Sequence, residues 1–162
     1  MPLEGRASPY DSVSVSVEGQ ALLVCYGRPS ARGRTMIGGE NVPYGELWRT
    51  GANEPTTLHV PFAADIGGIS VEPGSYSLYT IPDSSEWTVI VNRSTTQWGE
   101  EGSYTEDVQV QEVGRTTVPA GTTAEYVETF TITSEPGEGG ATDLVLEWEG
   151  SRIEIPVQRA SG

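Results

Sequence analysis

One short polar run is the part of this sequence best equipped for chemistry. The string Trp48–Glu54 places a guanidinium (Arg49), an amide (Asn53) and a carboxylate (Glu54) beside a large aromatic ring within seven residues. A guanidinium can bind a carboxylate through two parallel hydrogen bonds. Two interpretations follow: Arg49 and Glu54 pair and anchor a loop, or one of them faces a ligand.

Arginines gather around this run. Between positions 28 and 49 the chain has four arginines and only two glutamates, although its net charge is −14. A positive stretch in an acidic chain indicates either a structural ion-pair hub or a place where an anion or polar ligand is held. Tyrosines along the chain could add phenolic donors. The candidate ligand-binding residues are Arg28, Arg34, Tyr44, Trp48, Arg49, Asn53, Glu54 and Tyr79.

Several kinds of site are excluded or disfavoured by what the sequence lacks. Cys25 is the only cysteine and His59 the only histidine, so a structural zinc site is excluded and no metal is predicted. His59 lies in an alternating run and is expected to be a strand residue. We find no phosphate-binding loop, dinucleotide fingerprint or nucleophile elbow, so no cofactor is predicted.

Three functions remain open. The first is a non-catalytic module that binds a small polar, anionic or carbohydrate-like ligand. The second is a hydrolase or isomerase with Glu54 as general base and Arg49 stabilising negative charge. An adjacent arginine lowers the pKa of a carboxyl group, whereas a general base needs it raised, so this hypothesis ranks below binding. The third is a structural envelope protein that assembles with itself, and a homo-oligomer is compatible with all three.

The elements that must position these residues are strands. The 20 Gly and 11 Pro disfavour long helices, and alternating apolar and polar residues recur at short spacing. The pattern predicts an all-β fold, an antiparallel β-sandwich or jelly-roll-like barrel with about nine or ten strands and no long helix. We expect a flexible segment over 1–9, one domain over 10–158 and a tail over 159–162.

Particular strands follow from local signals. Val13–Val17 and Ala21–Tyr26 flank Glu18-Gly19-Gln20 and predict a hairpin. Trp87–Asn92 is expected to be buried on both faces. Further strands are expected at Ile69–Val71, Ser75–Ile81, Asp107–Val113 and Glu125–Ser134, the last with Tyr126, Phe130 and Ile132 inward. A turn at Glu149–Ser151 is expected to separate Asp143–Glu149 from Arg152–Val157.

Charge and hydropathy bear on partners and location. A pI near 4.3 argues against nucleic acid as the main partner. All nine cations are Arg, which together with the excess of acids is typical of salt-adapted proteins and also of GC-rich genomes. No apolar run approaches the length of a transmembrane helix, and no signal peptide is evident at the N-terminus.

A set of short strings spread over nearly the whole chain is characteristic of one known family. The strings are Ser8–Asp11, Tyr26–Pro29, Gly33-Arg34, Gly38-Gly39, Val42–Gly45, Trp48–Glu54, Gly74–Pro82, Trp87, Asn92 and Gln97–Gly99. On these residues the chain resembles the bacterial domain-of-unknown-function family 2911 over residues 8–157. The resemblance implies no activity, but members usually carry an export or lipoprotein signal. It therefore implies a periplasmic or extracellular mature form, with the cytoplasm as the alternative. The family usually has His at the position of Tyr10, which puts any metal or proton-transfer role there in doubt.

Overall fold

The computed structural model describes residues 10–28, 30–31, 36–39, 42–48, 50, 56–93, 111–137 and 139–159. These residues form ten strands and no helix, so none of them forms a helix that could cross a membrane. The strands are β1 Tyr10–Val17, β2 Gln20–Gly27, β3 Thr56–Val60, β4 Ala64–Ile66, β5 Ile69–Val71, β6 Gly74–Ile81, β7 Glu86–Asn92, β8 Glu112–Pro119, β9 Gly121–Pro136 and β10 Thr142–Arg159.

The ten strands make two antiparallel sheets. The large sheet has the order β1-β2-β3-β6-β7-β8, and the small sheet has the order β5-β4-β10-β9. Every strand pairing within them is antiparallel. The predicted all-β sandwich class is therefore confirmed.

The first hairpin shows how local chemistry sets the register. Glu18 and Gly19 have φ angles of 48° and 85°, the positive values that a tight two-residue turn between twisted strands requires. The turn pairs Val17 with Gln20 and leads on to Val15 opposite Leu22. Because side chains alternate along a strand, this register sends the valines of β1 and the partners of β2 into the core together.

The core lies between the sheets. Its members repeat with a period of two along each strand, as a face buried on one side requires. β7 departs from this alternation because Ile90 and Asn92, on the opposite face from Val89, are buried as well. The prediction that Trp87–Asn92 is buried on both faces is thus confirmed. The strand residues with the most deeply buried apolar side chains include Val15, Leu22, Val24, Leu58, Ile66, Leu78, Val89, Phe130, Ile132, Leu144, Leu146, Trp148, Ile153 and Ile155.

The predicted turn at Glu149–Ser151 is wrong. β10 runs without a break from Thr142 to Arg159, and β9 pairs with it on both sides of this point. The register shifts on either side of Glu149, whose φ is 57°, so the turn-like residues form a bulge within a strand. The chain bends there enough for Arg152 to reach Glu147 at 3.1 Å, five residues back in the same strand.

Two other expectations need adjustment. Tyr126 was expected to point inward, but its side chain is 61% exposed. β9 extends beyond the predicted segment; Phe130 and Ile132 are buried in the core, whereas Tyr126 lies beyond the register shift between Thr131 and Val127, and its side chain stays in solvent. No strand was predicted at β4, because its three residues are too few to show an alternating pattern. Part of the predicted strand Asp107–Val113 lies outside the described residues, and the described strand there begins at Glu112.

Candidate functional site

The Trp48 backbone pairs with β6 of the large sheet. The N–H of Trp48 donates to the carbonyl of Thr80 at 2.7 Å, and the N–H of Thr80 donates back at 3.0 Å. Thr80 lies in β6, beyond the point where β3 begins to pair with that strand at Thr56 and Leu78. Trp48 therefore lies beside β6 on the side where β3 pairs further along the same strand.

The Trp48 side chain belongs to the core. It is 3% exposed and stacks on Trp148 with ring centroids 5.8 Å apart and an interplanar angle of 17°. The rings of Phe130 and Trp87 pack edge-to-face with it, with centroids 5.1 and 6.1 Å from that of Trp48. Aromatic pairs at these separations add about 0.5–1.5 kcal/mol beyond the area that they bury. The indole thus fastens the start of the polar run to both sheets.

Three buried threonines, Thr50, Thr56 and Thr80, are joined by hydrogen bonds next to Trp48. The hydroxyl of Thr50 lies 3.1 Å from that of Thr80 and 3.3 Å from the carbonyl of Trp48, and all three threonines are 0% exposed. Thr56 donates its hydroxyl proton to the carbonyl of Thr50. Thr50 has a φ of 62°, a strained value for a β-branched residue. Both ends of the segment between positions 50 and 56 are therefore held side by side next to β6.

Tyr79 lies on the opposite face of β6 from Leu78 and Thr80. Its side chain is 0% exposed, as are those of its neighbours Ser77 and Asn92, which pair directly across β6 and β7. A sheet carrying polar groups that are buried on its outward face differs from the solvated outer face usual in sandwiches. Buried polar groups of this kind are hydrogen-bonded.

Arg28 ties the end of β2 to β9. Its Nε donates to the carbonyl of Phe130 at 3.1 Å, and its Nη2 donates to the hydroxyl of Thr131 at 3.0 Å. Its Nη1 forms an ion pair with Asp11 at 3.3 Å. The described contacts of Arg28 thus correspond to the ion-pair hub that sequence analysis offered as one interpretation of the arginines.

Tyr26 lies beneath this hub. Burial raises the pKa of the Tyr26 hydroxyl, while the N–H of Ile132, which donates to it at 3.0 Å, and the charge of Arg28 act in the opposite direction. A second tyrosine that was expected to offer a phenolic donor, Tyr76, donates instead to the carbonyl of Glu72 at 2.6 Å. Both hydroxyls therefore serve contacts within the fold.

Tyr44 is the most exposed of the described candidates, at 47%. Its ring covers Gly38, where an added Cβ would stand 2.6 Å from Cζ of the tyrosine. Gly38 donates its N–H to the carbonyl of Val42, and Gly45 donates to the carbonyl of Pro82 just after β6. Tyr44 therefore lies on a compact turn held beside the end of β6.

Sequence analysis missed Glu149, which anchors the start of this segment. Its Oε1 accepts the N–H of Ile37 at 2.7 Å and that of Met36 at 3.1 Å, and its Oε2 lies 3.2 Å from the nitrogen of Met36. We call this contact the Glu149 latch. The residues are more than 110 positions apart, and nothing in the local pattern around Glu149 pointed to them. The only local signal was the Glu-Gly-Ser string, which we interpreted as a turn.

The small sheet has a charged cluster of its own. Arg152 forms ion pairs with Glu135, Glu154 and Glu147 at 2.9, 3.0 and 3.1 Å. Hydrogen bonds to the first two carboxylates raise the pKa of the arginine most, partly offset by desolvation. Among the described residues, no group of three or more His, Cys, Asp and Glu side chains is arranged to hold a metal ion.

The structure describes four of the eight predicted ligand-binding residues and does not place them on one surface. The rings of Trp48 and Tyr79 are buried, Arg28 bonds across to β9, and Tyr44 is exposed on its turn. Arg34, Arg49, Asn53 and Glu54 lie outside the described residues. Their convergence, and the pairing of Arg49 with Glu54, stay predictions.

Comparison with known proteins bears on the whole chain. Neither the curated proteins nor the solved structures gave a significant match. A family model described as protein of unknown function DUF2911 matches residues 8–157, which include every described strand up to the last two residues of β10. The chain therefore belongs to the DUF2911 family.

Proposed function

We propose that this domain is a non-catalytic binding module that takes a small polar or anionic ligand at the loop between Trp48 and Thr56. One observation carries the proposal: both ends of this loop are fastened beside Thr80, through the paired backbone of Trp48 and the threonine hydroxyls. A loop held at its base loses less conformational entropy when it binds a ligand. Such a base would suit a preorganised site.

The residue types of the loop indicate the chemistry of the ligand. Arg49 would pair with an anionic group, and Asn53 and Glu54 would accept or donate hydrogen bonds to hydroxyl groups, as sugars require. Tyr44, exposed on the neighbouring turn that Gly45 fastens to Pro82, would offer a ring face and a phenolic hydroxyl at the rim. This combination favours a small anion or a carbohydrate carrying an acidic group.

Thermal denaturation with a panel of defined probes tests the proposal. The panel contains phosphate, sulfate, acetate, glucose, galactose, glucuronate and galacturonate, each up to 20 mM. A probe at about 100 times its dissociation constant stabilises the folded state by about 2.7 kcal/mol, which raises the Tm of a chain this size by several degrees. We expect such a shift with at least one anionic probe, and titration calorimetry then gives its affinity.

Variants locate the site. Arg49→Ala should abolish the shift, whereas Arg93→Ala, which removes an exposed arginine at the end of β7, should leave it unchanged. The proposal fails if no probe in the panel raises the Tm. It fails equally if a probe stabilises Arg49→Ala as much as the unaltered protein, since the ligand would then lie elsewhere.

A further inference from the structure

One exposed surface of this acidic protein carries no charge. It consists of the outward-facing residues of β1, β2 and β3 and the adjoining chain at the start of β6, and we call it the neutral face. None of its exposed residues is Asp, Glu, Lys or Arg, and it includes the imidazole of His59. Its exposed members are Ser12, Ser14, Ser16, Ala21, Leu23, His59, Pro61, Gly74 and Ser75.

The outward face of the small sheet is its opposite. Five acidic residues belong to β4, β9 and β10, and three of them, Glu135, Glu147 and Glu154, pair with the guanidinium of Arg152. The five are Asp65, Glu135, Asp143, Glu147 and Glu154. In a chain with 23 acidic residues among 162, outward faces of four neighbouring strand segments that expose no carboxylate stand apart from the face of the small sheet. Depletion of charge is a compositional mark of the centre of a protein interface.

The shape of the neutral face is that of a ridge beside a groove. Ser14, Leu23, His59 and Ser75 lie side by side across four strands, because each is the register partner of the next. Leu23 is 39% exposed and is one of three large exposed hydrophobic residues in the described part of the chain. Beside it runs a groove of about 420 Å³ whose walls include Ala21, Pro61 and Gly74.

A hydrogen bond fixes the polar border of this groove. Nδ1 of His59 lies 2.8 Å from the hydroxyl of Ser75, on the adjacent strand β6. This contact links the exposed side chains of β3 and β6 at the border of the groove. Because Leu23 lies beside a mainly apolar groove on the same face, this surface can fit a second copy of itself: in a two-fold contact, Leu23 of each copy enters the groove of the other.

We propose that the neutral face is a self-association surface, on which two copies of this chain dock face to face with Leu23 of each in the groove of the other. Charge argues for a copy as the occupant. Two chains of net charge −14 repel each other, and a face without carboxylates is where that repulsion is smallest. A cationic partner would instead be drawn to the carboxylates of the small sheet.

Edge-to-edge pairing through β1 is the competing geometry, and two contacts disfavour it. The N–H of Ser12 is occupied by the side chain of Asp11 at 2.8 Å, and the carbonyl of Ser16 accepts the hydroxyl of Thr142 at 2.7 Å. Side chains that occupy the backbone groups of an edge strand block the addition of another strand. Docking by the face leaves both contacts intact.

The size of the neutral face predicts a weak dimer whose stability depends on salt. Four strands spaced ~4.8 Å apart and about five residues long at ~3.4 Å each present roughly 300 Å² in projection. Standard interfaces bury about 800 Å² per partner, so micromolar-to-millimolar dissociation constants are expected. Salt shortens the Debye length from ~8 Å at 0.15 M to ~3 Å at 1 M, so added salt should strengthen association.

Sedimentation equilibrium at 10–500 μM protein, in 0.15 M and in 2 M NaCl, measures this association. We expect a monomer–dimer equilibrium whose dissociation constant falls at least tenfold between the two salt concentrations. Leu23→Glu places a like charge at the centre of the contact in each copy and should raise the constant at least tenfold in 2 M NaCl. Ser14→Glu, at an exposed serine, should act in the same direction with no loss of packing.

The matched control is Tyr126→Glu, which exchanges another exposed hydrophobic residue for glutamate on the small sheet. It should leave the dissociation constant unchanged, and circular dichroism should show all variants folded. The proposal is overturned if the protein stays monomeric at 500 μM in 2 M NaCl. It is also overturned if Ser14→Glu and every folded Leu23 variant associate like the unaltered protein, or if Tyr126→Glu weakens association as much as they do.

Discussion

The Glu149 latch offers a direct test of how the segment carrying Tyr44 and Trp48 is held. Its carboxylate accepts two consecutive backbone N–H groups, at 2.7 Å from Ile37 and 3.1 Å from Met36. Both of these residues are buried, at 6% and 7% exposure, so water cannot readily replace a lost acceptor. Removing the carboxylate should therefore cost the desolvation of both donors.

The magnitude follows from the number of contacts. A buried donor left without an acceptor costs about 1–3 kcal/mol, so Glu149→Ala should destabilise the fold by about 2–4 kcal/mol. That loss lowers the Tm by roughly 5–15 °C in a chain of this size. Glu149→Gln keeps one acceptor oxygen but loses the negative charge. Because a charged acceptor makes such hydrogen bonds about twice as strong, this variant should be destabilised by about 1 kcal/mol.

Two measurements separate loosening of the segment from global unfolding. Urea denaturation followed by circular dichroism gives the change in the free energy of unfolding. Limited trypsin digestion reports on the segment itself, since trypsin cleaves after arginine and Arg34 precedes Met36 by two residues. Glu149→Ala should be cleaved faster after Arg34, and Glu125→Ala, at an exposed position of β9, should behave like the unaltered protein. A Glu149→Ala variant within 0.5 kcal/mol of the unaltered protein, with unchanged cleavage, would refute the latch.

Two further predictions concern a backbone contact and a buried hydroxyl. Gly38→Ala should cost about 1 kcal/mol more than Gly45→Ala in urea denaturation, because the half-exposed ring of Tyr44 must move away from the new Cβ. Both glycines have positive φ, 82° and 79°, but only at Gly38 would the new Cβ meet a ring, at 2.6 Å from Tyr44, and equal losses would contradict this. Because burial raises the pKa of Tyr26 above the ordinary value of a tyrosine, about 10, the unfolded chain ionises first. The stability that this hydroxyl contributes is therefore fully present below about pH 10 and decreases above it, by up to ~1.4 kcal/mol per pH unit. In Tyr26→Phe, the free energy of unfolding should decline less steeply between pH 9.5 and 11.

The parts of the fold that sequence predicts are those with short-range causes. The β1–β2 hairpin follows from alternating valines and a Glu-Gly turn, and its turn and pairing agree with the structure. The run Trp87–Asn92 is apolar without alternation, and both of its faces are buried. In each case the residues that set the structure lie within a few positions of one another, so a pattern can reveal them.

The parts that sequence cannot predict depend on partners far along the chain. Arg28 was a candidate for binding a ligand because of the arginines near it. Besides Asp11, its described contacts are with Phe130 and Thr131, more than 100 positions away. Composition indicated that Arg28 needs polar partners, but the identity of those partners is decided by how β9 lies against β2.

The bulge at Glu149 explains both the wrong prediction of a turn and the failure to predict the Glu149 latch. Glu-Gly-Ser is favourable in a turn, but β9 is long enough to pair before the bulge, at Glu147 with Thr131, and after it, at Ser151 with Thr122. The chain therefore continues as one strand, and the positive φ of Glu149 is accommodated as a bend. At this bend Trp148 stacks on Trp48 in the core, and the next side chain binds the backbone at Met36 and Ile37. A turn at this point would have separated these two contacts. Because Glu149 forms a bulge instead, β10 binds the chain both at Met36 and Ile37 and at Trp48.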